Sequence, residues 1–252
     1  MKNVEQGWNN VASWYDEYLQ GDDTYQAQVI LPNVIRMIAP ENGMRILDLA
    51  CGQGYFARVL ASTGAQVVGI DASAELLETA DAQSNGLKIV YKKGNVEKLD
   101  EAHGVYDAGL CVLALENIKN IQAMMSGVAD ALKADGKLVL VMLHPAFRIP
   151  KHSDWSYSKE TDTQYRKVGK YLSEVSIPIE LHPHKGKASI TTTTYHRPMQ
   201  WYMKAFRNAG FAITNMEEWI SHKKSQSGPR QVAEDVARKE FPMFLALELK
   251  KI

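Results

Sequence analysis

Arg45-Ile46-Leu47-Asp48-Leu49-Ala50-Cys51-Gly52-Gln53-Gly54-Tyr55-Phe56-Ala57-Arg58-Val59-Leu60 decides the fold. It opens as a short apolar run, Ile46-Leu47 then Leu49-Ala50, which suits a strand buried on both faces. It turns through Gly52 and Gly54 and goes on as a helix with Phe56, Val59 and Leu60 on one side. Glycine lets the backbone approach a ligand closely, and a helix N-terminus offers unpaired N–H groups. A strand turning through glycines into a helix is therefore a nucleotide cradle.

Residues 65–71 form a second buried strand, closed by Asp71. Asp71 follows the glycines by about twenty residues, the offset at which an acid meets ribose hydroxyls in doubly wound folds. A dinucleotide fingerprint would place its third small residue at Ala57. Asp48, however, stands just before the turn, where a pyrophosphate would meet like charge. An acid there suits a positively charged ligand, such as a sulfonium bearing an amino group.

On these residues the stretch resembles the class I S-adenosylmethionine-dependent methyltransferases, whose first motif reads (D/E)-x-(G/A)-x-G-x-G. Asp48-Leu49-Ala50-Cys51-Gly52-Gln53-Gly54 fits it, with Ala50 in place of the commoner first glycine. His196-Arg197-Pro198 before a helix, then Ala209-Gly210-Phe211, is similar to the ubiquinone/menaquinone-biosynthesis type and its small-molecule relatives. The resemblance implies an α/β fold: a doubly wound, Rossmann-like, seven-stranded sheet, mostly parallel with its last strand antiparallel, and helices on both faces. It implies S-adenosylmethionine as cofactor and S-adenosylhomocysteine as product. By the same resemblance the cofactor contacts Tyr15, Asp48, Ala50, Cys51, Gly52, Gly54, Tyr55, Asp71, Ala72, Asn95, Val96 and Leu113. Tyr15 lies in Ala12-Ser13-Trp14-Tyr15-Asp16, similar to an A-x-x-Y-D segment that closes over the cofactor. Asn95 stands where relatives often carry an acid for the adenine amino group, and Val96 offers a backbone N–H. Leu113 would back the methionine part.

The chain divides into a helical N-terminal cap (1–40), a cofactor-binding core (41–145), an insertion (146–196) and the completion of the same core (197–252). Pro32 suggests a break or a restart within a helix over 22–40. Ser73 is the expected N-cap of a helix over 72–84. A strand is expected over 88–93, and the fourth strand with its exit over 106–118. A helix over 121–132 carries an inner face of Met124, Met125, Val128 and Leu132, and a turn over 134–137 leads to a strand over 138–143. The insertion breaks this alternation. Residues 172–181 and 188–195 alternate around a turn at 182–187, a β-hairpin after the fifth strand that would form a lid or pocket wall. Pro178 would sit on its exposed edge. A helix opened by Pro198, a strand over 211–220, a short helix over 231–239 and a last strand over 242–249 complete the chain.

Four residues are candidates for proton transfer or acceptor binding: His144 at the end of the fifth strand, Glu116 after the fourth, and Tyr195 and His196 at the end of the insertion. A base is needed only if the acceptor must lose a proton. His182 and His184 lack further ligands, so no metal is expected. With 29 basic and 29 acidic residues, nothing in the balance favours nucleic acid. The aromatic insertion favours a small-molecule acceptor. No apolar run reaches a membrane span and the N-terminus lacks a signal-peptide pattern. Cys51 and Cys111 read as free thiols of a cytoplasmic protein, and a homodimer is compatible with the chain. No Asn-Pro-Pro-aromatic tetrapeptide follows the fourth strand, which counts against exocyclic amines of DNA. The rival readings are a methyltransferase of tRNA or protein, a non-catalytic S-adenosylmethionine-binding protein, and an NAD-dependent oxidoreductase, for which Asp48 carries the wrong charge.

Overall fold

The structure is a computed structural model and describes residues 21, 23–180 and 191–252. Tyr15, most of the N-terminal cap and the turn at 182–187 lie outside the described residues. The quoted stretch forms β1 (Arg45–Leu49), a turn, and α2 (Tyr55–Ser62). α1 (Leu31–Ile38) precedes them. A π-helical turn, Gln26–Ile30, runs directly into α1, and Pro32 falls in the first turn of α1. The chain continues through β2 (Gln66–Asp71), α3 (Ala74–Ala82), β3 (Ile89–Lys93), β4 (Tyr106–Val112), α4 (Ile121–Ala131) and β5 (Leu132–Leu143). Ser73 caps α3 by accepting from the Leu76 N–H at 3.2 Å.

β1 pairs in parallel with β2 on one side and β4 on the other, and β3 and β5 extend the sheet outward. The order therefore reverses beside β1, and a crevice opens at the carboxyl ends of β1 and β4, where such sheets hold ligands. After β5 come two hairpins, β6 (Ser153–Ser158) with β7 (Thr163–Val168) and β8 (Val175–Glu180) with β9 (Thr191–His196). The chain then completes the sheet with α5 (Met199–Asn208), β10 (Phe211–Trp219), α6 (Gln231–Glu240) and β11 (Phe244–Lys251). β11 is antiparallel and lies between β5 and β10, so the seven-stranded order is β10-β11-β5-β4-β1-β2-β3.

The pleat of β1 sorts its side chains. Leu47 and Leu49 enter the core under α4 and α5, with Met124, Met125, Val128 and Phe206. Ile46 enters the opposite core under α1 and α2, with Val34, Ile38, Ala57 and Leu60. Asp48 follows the second alternation and so is driven inward at the top of that layer.

The structure corrects two expectations about elements. The segment 134–137 is not a turn before β5 but an excursion within it: Tyr106 pairs with Leu132 and Ala108 already with Lys137. The insertion also holds one hairpin more than its alternation suggested, β6–β7, closed through Asp162 at a left-handed φ of 46°.

Three residues of the glycine turn are left-handed: Ala50 (φ 54°), Gly52 (φ 55°) and Gly54 (φ 74°). At Gly54 a Cβ would lie 2.1 Å from the Tyr91 hydroxyl, so glycine is required there. Ala50 carries a side chain where left-handed backbone costs an L-residue roughly 1–2 kcal/mol. Part of that is offset by the greater freedom of glycine in the unfolded chain. Ala50→Gly is expected to raise the melting temperature by about 1–4 °C, corresponding to a net gain of about 0.5–1 kcal/mol. A lower melting temperature would show that the alanine methyl contributes packing that outweighs the strain.

Candidate active site

A cavity of about 360 Å³ opens at the carboxyl ends of β1, β2 and β4. The glycine turn contributes Asp48, Ala50, Cys51, Gly52 and Tyr55, and the end of β2 contributes Asp71 and Ala72. Asn95 and Val96 enter after β3, Leu113 after β4, and Tyr195 from β9. Gly54 is not in the wall; it starts α2 behind it. The sequence offered no site role for Phe56, Leu76, Glu97, Asn117 and Lys119, which also line the cavity. Only their closeness in sequence to named residues could have suggested them.

Asp71 holds the site together. One carboxylate oxygen accepts from the Gly52 N–H at 2.8 Å, the other from the Ser73 N–H at 2.9 Å. These bonds join the end of β2 to the glycine turn and to the start of α3. Burial pushes the Asp71 carboxyl up, and the N–H groups of Ser73, Gly52 and Ala72 pull it back. Asp48 is 2% exposed, and its Oδ2 has no partner among the described residues. Burial first, and the charge of Asp71 second, push its carboxyl up to about 8, against the pull of the Ala57 N–H. A buried carboxyl oxygen without a partner, on the wall of a cavity, is a place for a hydrogen-bond donor or a cation.

The other walls carry their own constraints. The Asn95 side-chain oxygen accepts from the Glu97 N–H at 2.9 Å and so caps the 3₁₀ turn Val96–Lys98. Its role is thus shared with the backbone. Glu97 accepts from the N–H groups of Lys119 at 2.8 Å and Asn120 at 3.1 Å, tying the wall after β3 to the wall after β4. Leu113 is left-handed (φ 52°), and its N–H donates to the Val141 carbonyl at 2.7 Å. Strained non-glycine backbone thus stands at both Ala50 and Leu113, on the ends of the two strands that flank the crevice.

The four candidates for proton transfer separate in space. Tyr195 lines the main cavity. Glu116 and His196 line a smaller one behind it, which Tyr195 shares. One Glu116 oxygen accepts from the Leu143 N–H, and burial pushes its carboxyl up to about 7. His196 donates from Nε2 to the Tyr171 carbonyl at 2.9 Å. His144 lines neither cavity. Its Nδ1 accepts from the Ala146 N–H at 3.2 Å, so Nε2 carries the proton and donates to Glu218 at 2.7 Å. Its ring packs on Phe147 with centroids 4.7 Å apart. His144 closes the turn after β5 with both nitrogens engaged.

Residues 47–140 match the family described as "Methyltransferase domain". A ubiquinone biosynthesis O-methyltransferase from Xanthomonas axonopodis pv. citri is 37% identical over 105 residues, which are 40% of this chain and 44% of that protein. A similar match to the Rickettsia conorii protein of that name covers 34% of its length at 34% identity. The chain thus spans less than half the length of these relatives. The crystal structure of an S-adenosylmethionine-dependent methyltransferase from Mesorhizobium loti has a TM-score of 0.71 and 25% identity, covering 91% of this chain and 99% of that one. The [4+2]-cyclase SpnF shares the fold at a TM-score of 0.66 and 16% identity, covering 98% and 94%. By its glycine turn, its sheet order and these matches, the chain is similar over residues 47–140 to a methyltransferase domain and has the fold of a solved S-adenosylmethionine-dependent methyltransferase.

Proposed function

We propose that this protein transfers the methyl group of S-adenosylmethionine to a small-molecule acceptor. The observation that carries the reading is the pair of buried carboxyls in the cavity wall, Asp71 fixed by the backbone and Asp48 with a free oxygen. The residues fit the cofactor. Asp71 keeps lone pairs for a ribose diol, since a carboxylate has about four acceptor sites and two are used. Asp48 suits the positively charged amino-acid end, whose charge would draw the proton from its carboxyl, and a pyrophosphate brings no such charge. Val96 and Asn95 would border the adenine, and Leu113 the methionine chain. When bound, the cofactor supplies a methyl group on a sulfonium that is already a good leaving group. The chain's own part is then to orient the acceptor and to exclude water. Tyr195 would serve that role, a reading supported by its position on the border of both cavities. Balanced charge supports a small acceptor over nucleic acid. Free Cys51 and Cys111 fit a cytoplasmic setting. Among the described residues no helix is long and apolar enough to cross a membrane.

Calorimetry with S-adenosylhomocysteine and, separately, NADH tests the cofactor. The wild type is expected to bind the former and not the latter. Asp71→Ala is expected to weaken binding by about 10–100-fold, the cost of a lost charged hydrogen-bond acceptor. NADH binding without S-adenosylhomocysteine binding would overturn the reading.

The state of Asp48 has a second consequence. Folded Asp48 keeps its proton up to about pH 8, whereas an unfolded aspartate releases it near 3.8. The folded state therefore holds the extra proton between those values, and the ligand-free protein loses stability as pH rises through that window. Glu116 acts in the same direction up to about 7. Asp48→Asn should match the wild type near pH 4 and melt at a higher temperature than the wild type at pH 8. Melting curves that fall in parallel for the two proteins would show that Asp48 is ionised in the folded state.

A further inference from the structure

Arg197 is a buried cation that the cofactor reading leaves without a role. It is 4% exposed, a depth at which a charge is normally met by an opposite charge. Here it is met by backbone. Arg197 Nη2 donates to the Ile118 carbonyl at 3.0 Å and to the Lys119 carbonyl at 2.8 Å. Glu116 is near enough to feel the charge, but its free oxygen, Oε2, makes no bond to it. The guanidinium is itself fixed between the rings of Tyr195 and Trp201, 5.0 and 4.8 Å from their centroids.

The same backbone is held from its other side. The Lys119 N–H donates to Glu97 Oε1 at 2.8 Å, and the Asn120 N–H donates to the same oxygen at 3.1 Å. The Ile118 carbonyl and the Lys119 N–H belong to one peptide plane; the Lys119 carbonyl and the Asn120 N–H belong to the next. Among the described residues no peptide bond is cis, so the carbonyl and the N–H of each plane point in opposite directions. Each plane is thus strung between a cation at its carbonyl and an anion at its N–H. Both charges favour the same orientation of the peptide dipole. Thr194 adds a tie from the insertion, its hydroxyl donating to Asn117 Oδ1 at 3.2 Å. At the far end of the strip Asn120 caps α4 by accepting from the Ala123 N–H at 3.1 Å.

Glu97, Asn117, Ile118 and Lys119 line the main cavity, whereas Arg197 stands behind it. We infer that Arg197 is a positioning residue of the cofactor site: pulling against Glu97 through the two peptide planes between Ile118 and Asn120, it sets the cavity wall after β4 from the insertion side. The inference rests on the cofactor reading above and adds to it a residue outside the glycine turn and the first four strands on which the shape of the cavity depends.

Calorimetry with S-adenosylhomocysteine reads the effect on binding, and the amide signals of Lys119 and Asn120 in ¹⁵N-labelled protein read the strip itself. Amide protons bonded to a carboxylate resonate downfield. Gly52 and Ser73, whose N–H groups donate to Asp71, are the controls. Arg197→Met removes the charge and the donors at nearly constant length, and its melting curve verifies the fold. Arg197→Gln, neutral and shorter, takes its place if the methionine variant does not fold. The neutral variant is expected to bind S-adenosylhomocysteine at least about tenfold more weakly. Its Lys119 and Asn120 signals are expected to move upfield while those of Gly52 and Ser73 stay. Arg197→Lys keeps the charge and several donors on one nitrogen, and is expected to restore affinity to within about threefold of the wild type. Wild-type affinity in the neutral variant overturns the inference. So do Lys119 and Asn120 signals that do not move. A lysine variant as weak as the neutral one also overturns it, because packing between the two rings, and not the donated bonds, would then be what matters. A wild type that fails to bind S-adenosylhomocysteine, with the amide signals still moved in the neutral variant, would sink the cofactor reading alone.

Discussion

The architecture of the site depends on one carboxylate. Asp71 accepts a backbone N–H from the glycine turn with one oxygen and another from the start of α3 with the other. Three segments that meet at the crevice are thereby fixed by a single side chain. The turn can then adopt its left-handed run through Ala50, Gly52 and Gly54, and Tyr91 can pack where a Cβ at Gly54 would otherwise stand. The same charge acts on Asp48, which burial already disfavours as an anion. Two acids close together in low dielectric drive one of them toward its neutral form. A cationic ligand would reverse that, so the free site stores an electrostatic cost that the right ligand relieves.

Much of this was legible in the sequence because it is local. The apolar run of β1, the glycines, the helix after them and the acid that ends β2 all lie within 45–71, and each element is specified by neighbours a few residues away. β8 and β9 were legible for the same reason, through their alternation. The rest depends on distant partners. His144 stands at a strand end where ligands bind in such sheets, but the direction of its ring is set by Glu218 on β10. Leu113 looks like an ordinary buried leucine, and nothing in the sequence marks its left-handed backbone. The hairpin β6–β7 turns through Asp162 with no glycine to announce it. The excursion at 134–137 reads as a turn, and only the pairing of β4 on both sides shows that the strand continues through it.

The fold alone does not decide the reaction. A [4+2]-cyclase shares it at a TM-score of 0.66. What distinguishes one such protein from another is the material added at the crevice. Here that material is the return strand β9, which brings Tyr195 to the cofactor cavity, and Arg197 just beyond it, which grips the carbonyls of Ile118 and Lys119. Insertion and core therefore share one polar cluster.

A crystal structure with S-adenosylhomocysteine tests the central claim most directly. The account predicts the ligand in the cavity at the ends of β1, β2 and β4, its ribose hydroxyls on Asp71 and a donor newly supplied to Asp48 Oδ2. Ligand bound elsewhere, or in the cavity with Asp71 and Asp48 both untouched, would contradict it.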